Sequence, residues 1–311
     1  MESPTFVIDA PFSLDRFPRA LARILAFGLL AALLGACTFL RVGYPHLDTF
    51  AASVVDDYFD LDLRQKQEFR TRFDRLHAWH RYEQLPDYAA FLNDTKTRVE
   101  RGVTRADFLW AVGGVQERYR TIVKQSADDA ATVLMTVTPE QLSALQHRWD
   151  KDNRRFIREH HLSEGAPEQR KASARRTLSR IREWTGTLTP EQEAKITAMV
   201  NDLPAMHALR YEDRLRRQKE FLQLMRNRDD PRQFAARLRH YLLSWEEGRD
   251  PRYDRVFKES IDKQADLYVA VARMLTPAQR AAVTRRLQGY IDDFARLSQR
   301  TGAAAQPAAS R

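Results

Sequence analysis

Apolar residues recur along most of this chain at alternating intervals of three and four positions, and charged residues fill the positions between them. This spacing places the apolar side chains on one face of an α-helix. The clearest seams are Phe69, Phe73 and Leu76; Tyr211, Leu215, Leu222 and Met225, with Gln218 in the gap; Phe234, Leu238, Tyr241 and Trp245; and Val283, Leu287, Tyr290, Phe294 and Leu297. Seams this narrow favour antiparallel helices packed as in coiled coils. The pattern therefore predicts an all-α protein, an elongated antiparallel bundle of helices or helical hairpins.

A repeated motif predicts where several of these helices begin. Thr138, Thr189 and Thr276 each follow an apolar residue and precede a proline, and a glutamine lies three positions after each threonine. In such a capping box the threonine accepts a hydrogen bond from the glutamine N–H, and the glutamine side chain reaches back to the cap. Looser copies start at Asp62, Thr104 and Asp230. The intervals between these starts suit either an ancient duplication or independent use of the same cap.

The only cysteine ends the run Leu34-Gly35-Ala36-Cys37, which has the pattern cut by bacterial lipoprotein signal peptidase. Three arginines precede it at positions 16, 19 and 23, and residues 24–36 are uncharged. This apolar stretch is shorter than the roughly 20 residues of a membrane-spanning helix, and it is typical of an export signal. We expect residues 1–36 to be removed and Cys37 to carry a lipid with palmitate-like chains. The alternative is a buried helix that contains a cysteine by chance.

A lipid on Cys37 would fix the location of the protein. One acyl chain binds a membrane only marginally, so stable anchoring needs more than one, and mature bacterial lipoproteins carry three. Thr38 follows the cysteine where an aspartate would favour retention at the inner membrane. The sequence therefore predicts an anchor in the outer membrane with the protein on its periplasmic face.

The predicted location limits which anionic partners this basic chain can bind. The chain has 51 Lys and Arg against 42 Asp and Glu, a net charge of +9. Residues 1–36 hold three of each sign, so their removal leaves the balance unchanged. A basic cytosolic protein would suggest nucleic acid as a partner, but export excludes it. The remaining partners are the membrane itself, anionic glycolipid, peptidoglycan and acidic segments of unfolded client proteins.

Two basic stretches are candidates for contacting such partners. The first includes Lys171, Arg175, Arg176 and Arg180, and no acidic residue lies between Glu168 and Glu183. The second contains Arg210, Arg214, Arg216, Arg217 and Lys219, diluted by three acidic residues. Two interpretations stay open for both stretches: a solvated helix face, or a positive patch that binds an anionic headgroup or an acidic client segment.

The sequence offers little for catalysis. His77 and His80 lie three residues apart on a predicted helix and form a weak candidate metal site, but packing beside Trp79 also explains His80. His160-His161 marks a predicted helix end. The chain has no glycine-rich phosphate loop and no Gly-x-Ser-x-Gly motif. We therefore expect no catalytic residues, no metal and no cofactor beyond the lipid on Cys37.

Two resemblances bear on the class of protein. The runs Leu188–Gln192 and Leu275–Gln279 match the Leu-Thr-x-x-Gln motif of the Spy and CpxP-type periplasmic chaperones and stress regulators, which implies binding of unfolded clients. Nearly the whole mature chain resembles a family of proteobacterial lipoproteins known only as a domain of unknown function. The residues that carry this second resemblance are 58–62, 77–81, 85–86, 230–234, 249–253, 275–279, Tyr290 and Phe294. It implies an all-helical, lipid-anchored envelope protein and assigns no catalytic residue.

These observations divide the chain into a signal peptide (1–36), a lipidated tether (37–45), two helical regions (46–161 and 168–299) and a disordered tail (300–311). Residues 163–167 form the predicted break between the two helical regions. The function that we expect is non-enzymatic binding, chaperone-like or scaffold-like, in the periplasm. Binding of glycolipid or peptidoglycan is the alternative, and a metal-dependent enzyme is a third, weaker one.

Overall fold

The computed structural model describes residues 43–299, and all regular secondary structure in that range is helical. The α-helices are α1 (Leu47–Phe59), α2 (Leu63–Trp79), α3 (Leu85–Arg101), α4 (Arg105–Leu134), α5 (Pro139–Glu159), α6 (Ala166–Thr185), α7 (Pro190–Asn201), α8 (His207–Arg226), α9 (Pro231–Leu243), α10 (Pro251–Met274) and α11 (Pro277–Leu297). The all-α prediction is confirmed. The predicted signal peptide, the lipidated Cys37 and the disordered tail lie outside the described residues.

All six predicted helix starts are N-caps in the structure. Five of them form complete capping boxes, in which each cap side chain and the residue three positions later bond to each other's backbone N–H. At Asp230 the carboxylate accepts from the N–H groups of Arg232 and Gln233. The motif did not reveal a further cap, Asp250, whose carboxylate accepts from the Arg252 N–H at 2.7 Å.

The predicted apolar seam holds in α11, where Leu287 is buried, and in α9 at Phe234 and Leu238. It is wrong at Trp245, because α9 ends at Leu243 and Trp245 lies in the turn that follows. The seam predicted for α8 is wrong at Leu215, which is 40% exposed. Arg214 and Gln218 turn toward α5 instead, and both bond to Asn153. The spacing of apolar residues gave the wrong prediction at Leu215 because α5 and α8 pack partly through polar side chains. A pattern of apolar positions does not reveal such contacts.

The helix from Leu63 to Arg101 is continuous but changes its winding at His80–Gln84, a π-helical turn between α2 and α3. Proline explains the change, because Pro86 has no N–H to donate and its ring crowds the preceding turn. A close approach joins α3 to α4, where the ring of Phe91 lies directly over Gly114. A Cβ at this position would overlap that ring unless Phe91 moved, so glycine permits the close approach.

The helices form two groups with the same internal contacts. In the first group α1 packs on α2 and α5, and α2 packs on α4. In the second group α6 packs on α7 and α11, and α7 packs on α10. Helices also cross between the two predicted regions, since α3 packs on α11 and α4 packs on α9 and α10. None of the helices within residues 43–299 combines the length and apolar character required to cross a membrane.

Candidate anion-binding site

The glutamines of four capping boxes form two pairs that join distant helix starts. Gln65, Gln192 and Gln279 are buried, and Gln141 is half-buried. The Gln65 amide lies 3.0 Å from the Gln141 side-chain oxygen, and the Gln192 amide lies 2.9 Å from the oxygen of Gln279. Each amide also donates to the backbone carbonyl two residues before its partner's cap; these carbonyls belong to Thr136, Asp60, Met274 and Thr187. We call each pair a glutamine clasp. The motif that resembles the Spy and CpxP-type proteins thus holds helix ends together in this fold.

A different set of residues forms the strongest candidate site. The rings of His160, at the end of α5, and His207, at the start of α8, stack with their centroids 4.1 Å apart. Arg176 and Arg180 of α6 and Arg210 of α8 are the charges that act on both rings. We call these five residues the His–Arg site. The site combines Arg176 and Arg180 from the first predicted basic stretch with Arg210 from the second.

Hydrogen bonds connect the His–Arg site across three helices. The Arg176 guanidinium donates to the Glu159 carbonyl at 2.9 Å and to the Ser173 hydroxyl at 3.2 Å. That hydroxyl lies 3.4 Å from Nε2 of His207. The Nδ1 atoms of His160 and His207 are buried and have no hydrogen-bond partner within residues 43–299. The site therefore offers two unused imidazole nitrogens beside a group of guanidinium donors.

Both histidines of the site are neutral at neutral pH. Burial, reinforced by the charges of Arg176, Arg210 and Arg180, lowers the pKa of His160 to about 4. Burial is also the main reason that the pKa of His207 falls to about 3, with His160 and the same arginines adding to it. A bound anion would offset the arginine charges, and guanidinium groups hold carboxylate and phosphate in bidentate geometry. The arrangement suits recognition of an anionic group.

The Ser173–His207 contact does not match a serine nucleophile. In a Ser-His-Asp triad a carboxylate orients the histidine through Nδ1. In the described part of this chain Nδ1 of His207 has no hydrogen-bond partner, and Arg176 donates to the Ser173 hydroxyl. The geometry therefore places Ser173 among the polar groups of a binding site.

The structure separates the four predicted anion-binding residues. Arg176 and Arg180 lie on the side of α6 that faces His160 and His207. Lys171 and Arg175 are exposed, and at 100° per residue they lie more than a quarter-turn away on the same helix. The sequence thus identified the right helix and half of its residues at the His–Arg site.

Two members of the His–Arg site, His160 and His207, were not predicted from the sequence as binding residues. His160 was expected only as a helix end, and it does cap α5. His207 stands alone at the first position of a helix whose N-cap, Met206, makes no side-chain bond. Arg210 belongs to the second predicted basic stretch, in which three acidic residues offset much of the positive charge. Only the packing of α5, α6 and α8 brings the three together, so no local signal could have revealed them.

The weak metal candidates lie elsewhere, beneath the first residues of the described chain. The Tyr44 hydroxyl lies 2.8 Å from Nδ1 of His80, and its ring contacts His77 at 4.8 Å. Burial lowers the pKa of both histidines, that of His80 to about 4. Throughout residues 43–299, no group of three or more His, Cys, Asp or Glu side chains is placed to hold a metal ion. The Tyr44 hydroxyl holds His80. His77 packs between the rings of Tyr44 and Phe73, and its buried Nε2 has no hydrogen-bond partner within residues 43–299.

The comparison with known proteins identifies a family without a known activity. The model of a family of unknown function, DUF6279, matches residues 57–253. No curated protein and no solved structure matches the chain. The matched range contains α5, α6 and α8, and therefore every residue of the His–Arg site. Because the match covers more than half of the 311 residues, the chain belongs to the DUF6279 family.

Proposed function

We propose that this chain is a non-enzymatic binding protein of the bacterial envelope, which uses the His–Arg site to bind acidic segments of unfolded client proteins. A lipid on Cys37 anchors it in the outer membrane, facing the periplasm. The observation that carries the proposal is the convergence of Arg176, Arg180 and Arg210 on two neutral, stacked histidines. Cations grouped in this way attract anionic partners and raise the rate of encounter.

The proposed anchor rests on the sequence. The run Leu34-Gly35-Ala36-Cys37 supports lipidation, and the arginines and apolar residues before it support export. An exported protein with a net charge of +9 can meet exported polypeptides and envelope polymers, but not nucleic acid. Client binding is then an encounter at the membrane surface, where the anchor keeps the helical body close to newly exported chains.

The proposal is tested by measuring aggregation of a denatured client protein with and without the purified chain. We expect suppression by the wild-type protein and its loss in Arg176→Glu with Arg180→Glu. Lys171→Glu with Arg175→Glu is the matched control, because it makes the same change of charge on another side of α6. Arg180→Glu alone guards against misfolding, since Arg180 is exposed. Equal loss in both double variants, or no suppression by the wild type, would contradict the proposal.

One observation favours an alternative, the binding of an anionic glycolipid or peptidoglycan. Lys171 and Arg175 leave α6 with cations on a second side, and a wide polyanionic surface could contact both sides together. Under this alternative both double variants weaken salt-sensitive sedimentation with the envelope polymers to a similar degree. Under client binding only the Arg176 and Arg180 variant has a marked effect.

A further inference from the structure

Two clefts outside the His–Arg site are lined by corresponding stretches of the long helices α4 and α10. One has a volume of about 210 Å³ and lies between α1, α2 and α4. The other has a volume of about 500 Å³ and lies between the start of α4, α7 and α10. Neither cleft has a role in the proposed site, and the two differ completely in chemistry.

The equivalence extends to individual positions. The long helix α4 lines the first cleft with residues 126, 129, 130, 133 and 134. The long helix α10 lines the second cleft with residues 266, 269, 270, 273 and 274. Each position in the second set follows its counterpart by 140 residues. Helix α4 thus lines the first cleft with the same pattern of positions that α10 uses to line the second.

The first cleft is apolar. Its walls include Phe59, Phe69, Phe73, Leu76, Val133 and Leu134, and an ion pair between Arg72 and Asp129 lies at its edge. An apolar cavity of about 150 Å³ can hold a benzene molecule. This cleft therefore has room for one aromatic or aliphatic side chain. We call it the apolar cleft.

The second cleft is cationic. Lys195 and Arg273 line it, and neither forms an ion pair with a carboxylate of residues 43–299. Arg105 also lines it and pairs with both Asp262 and Asp266, so these five side chains together carry a net charge of +1. Val269, Ala270 and Met274 provide an apolar floor. We call it the cationic cleft, and its two available charges suit an acidic side chain whose stem packs on that floor.

Helix α4 links the two clefts. Arg105, in its first turn, borders the cationic cleft, while Ser126 and Ala130, near its other end, border the apolar one. A rise of 1.5 Å per residue places Arg105 and Ser126 about 32 Å apart along the axis. At 100° per residue, positions 105, 126 and 130 lie within about 60° of one another around the helix. Both clefts therefore border the same side of α4.

We propose that the two clefts bind one extended polypeptide segment, with an apolar side chain in the apolar cleft and acidic side chains about ten residues away in the cationic cleft. Ten extended residues span about 33 Å, which matches the separation along α4. This inference rests on the proposed client-binding function and adds to it a second contact surface with a defined spacing. Linking two weak contacts through a spacer of matching length strengthens binding by about 100-fold or more.

The test uses labelled synthetic peptides and the full chain held in lipid nanodiscs, with binding followed by fluorescence anisotropy. The long peptide carries Leu-Phe at one end, three glutamates at the other and a spacer of ten prolines, which keeps an extended length of about 31 Å, and it is made in both orders. The short peptide has a three-residue spacer, which spans at most about 11 Å. We expect the long peptide to bind at least about 10-fold more tightly than the short one.

Variants of the protein locate the binding. Lys195→Glu with Arg273→Glu reverses the available charges of the cationic cleft, and Ser126→Phe fills the apolar cleft. Each should remove the advantage of the long spacer. Arg255→Glu with Lys258→Glu, an equal change of charge at exposed positions of α10, should preserve it.

Equal binding of the two peptides would overturn the inference. So would a spacer effect that persists in both cleft variants. The peptide affinity could also be unchanged in the cleft variants and lost in Arg176→Glu with Arg180→Glu. That result would contradict binding in the two clefts but would support the proposed function. A preserved spacer effect without suppression of client aggregation would contradict the proposed function alone.

Discussion

At the scale of single residues, the notable feature is a set of four half-buried histidines held neutral by the fold. Their pKa values lie below the ordinary value of 6.5, mainly because burial penalises the charged ring; they are His77, His80, His160 and His207. The unfolded chain binds these protons more readily than the folded one. Acid therefore favours unfolding.

This difference predicts a specific dependence of stability on pH. Because the folded pKa values are depressed, the stabilisation is complete above about pH 6.5 and is lost as the pH falls toward 4. Each unit of difference in pKa between the folded and unfolded chain is worth about 1.4 kcal/mol per group, so we expect the free energy of unfolding in urea to fall by several kcal/mol over that range.

The double variant His160→Asn with His207→Asn should lose less stability over the same range, because two of the four titrating groups are gone. His147→Asn, a change at an exposed histidine, serves as the control and should behave like the wild type. A pH profile of the double variant that matches the wild type would show that the fold does not lower the pKa of the stacked pair.

At the scale of helices, the two glutamine clasps organise the fold. Each clasp joins two helix starts that are 76 or 87 residues apart in the chain. Each clasp also satisfies two backbone carbonyls close to the caps. The clasps therefore align helices that have no short connection to one another.

We expect Gln192→Ala to lower the free energy of unfolding by about 2 kcal/mol, because it leaves buried polar groups of Met274 and Gln279 without their partner. Gln233→Ala is the matched control, since within the described residues the Gln233 side chain bonds only to Asp230, at an exposed helix start. This change should cost less than about 0.5 kcal/mol.

A double-mutant cycle with Gln279→Ala completes this measurement. The two losses should not add, because each single change already breaks the shared contact. Strict additivity in urea unfolding would mean that the two glutamines act independently and that no clasp exists.

These elements show what a sequence can and cannot predict here. The caps at Thr138, Thr189 and Thr276 were predictable, because their partners lie only three residues away. The pairing of Gln192 with Gln279 was not predictable, because a capping box has the same sequence whether or not its glutamine also bonds to the glutamine of another box. Likewise Leu215 had the spacing of a core residue, but the polar contacts of Asn153 with α8 displaced it to the surface.

At the scale of the whole molecule, the candidate site depends on the interlocking of the two predicted helical regions. His160 comes from the first region, while the three arginines and His207 come from the second. Contacts of α3 with α11 and of α4 with α9 further tie the regions together. The division at residues 163–167 remains a prediction about domains, but the His–Arg site requires both sides of it.

The central claim is that the His–Arg site binds acidic polypeptide segments in the periplasm. Its most direct test is photo-crosslinking in living cells, with a photoreactive amino acid at position 180 and, as the control, at position 171. We expect adducts with exported polypeptides from position 180 and far fewer from position 171. Equal yields from both positions, adducts with lipid alone, or adducts with cytoplasmic proteins would contradict it.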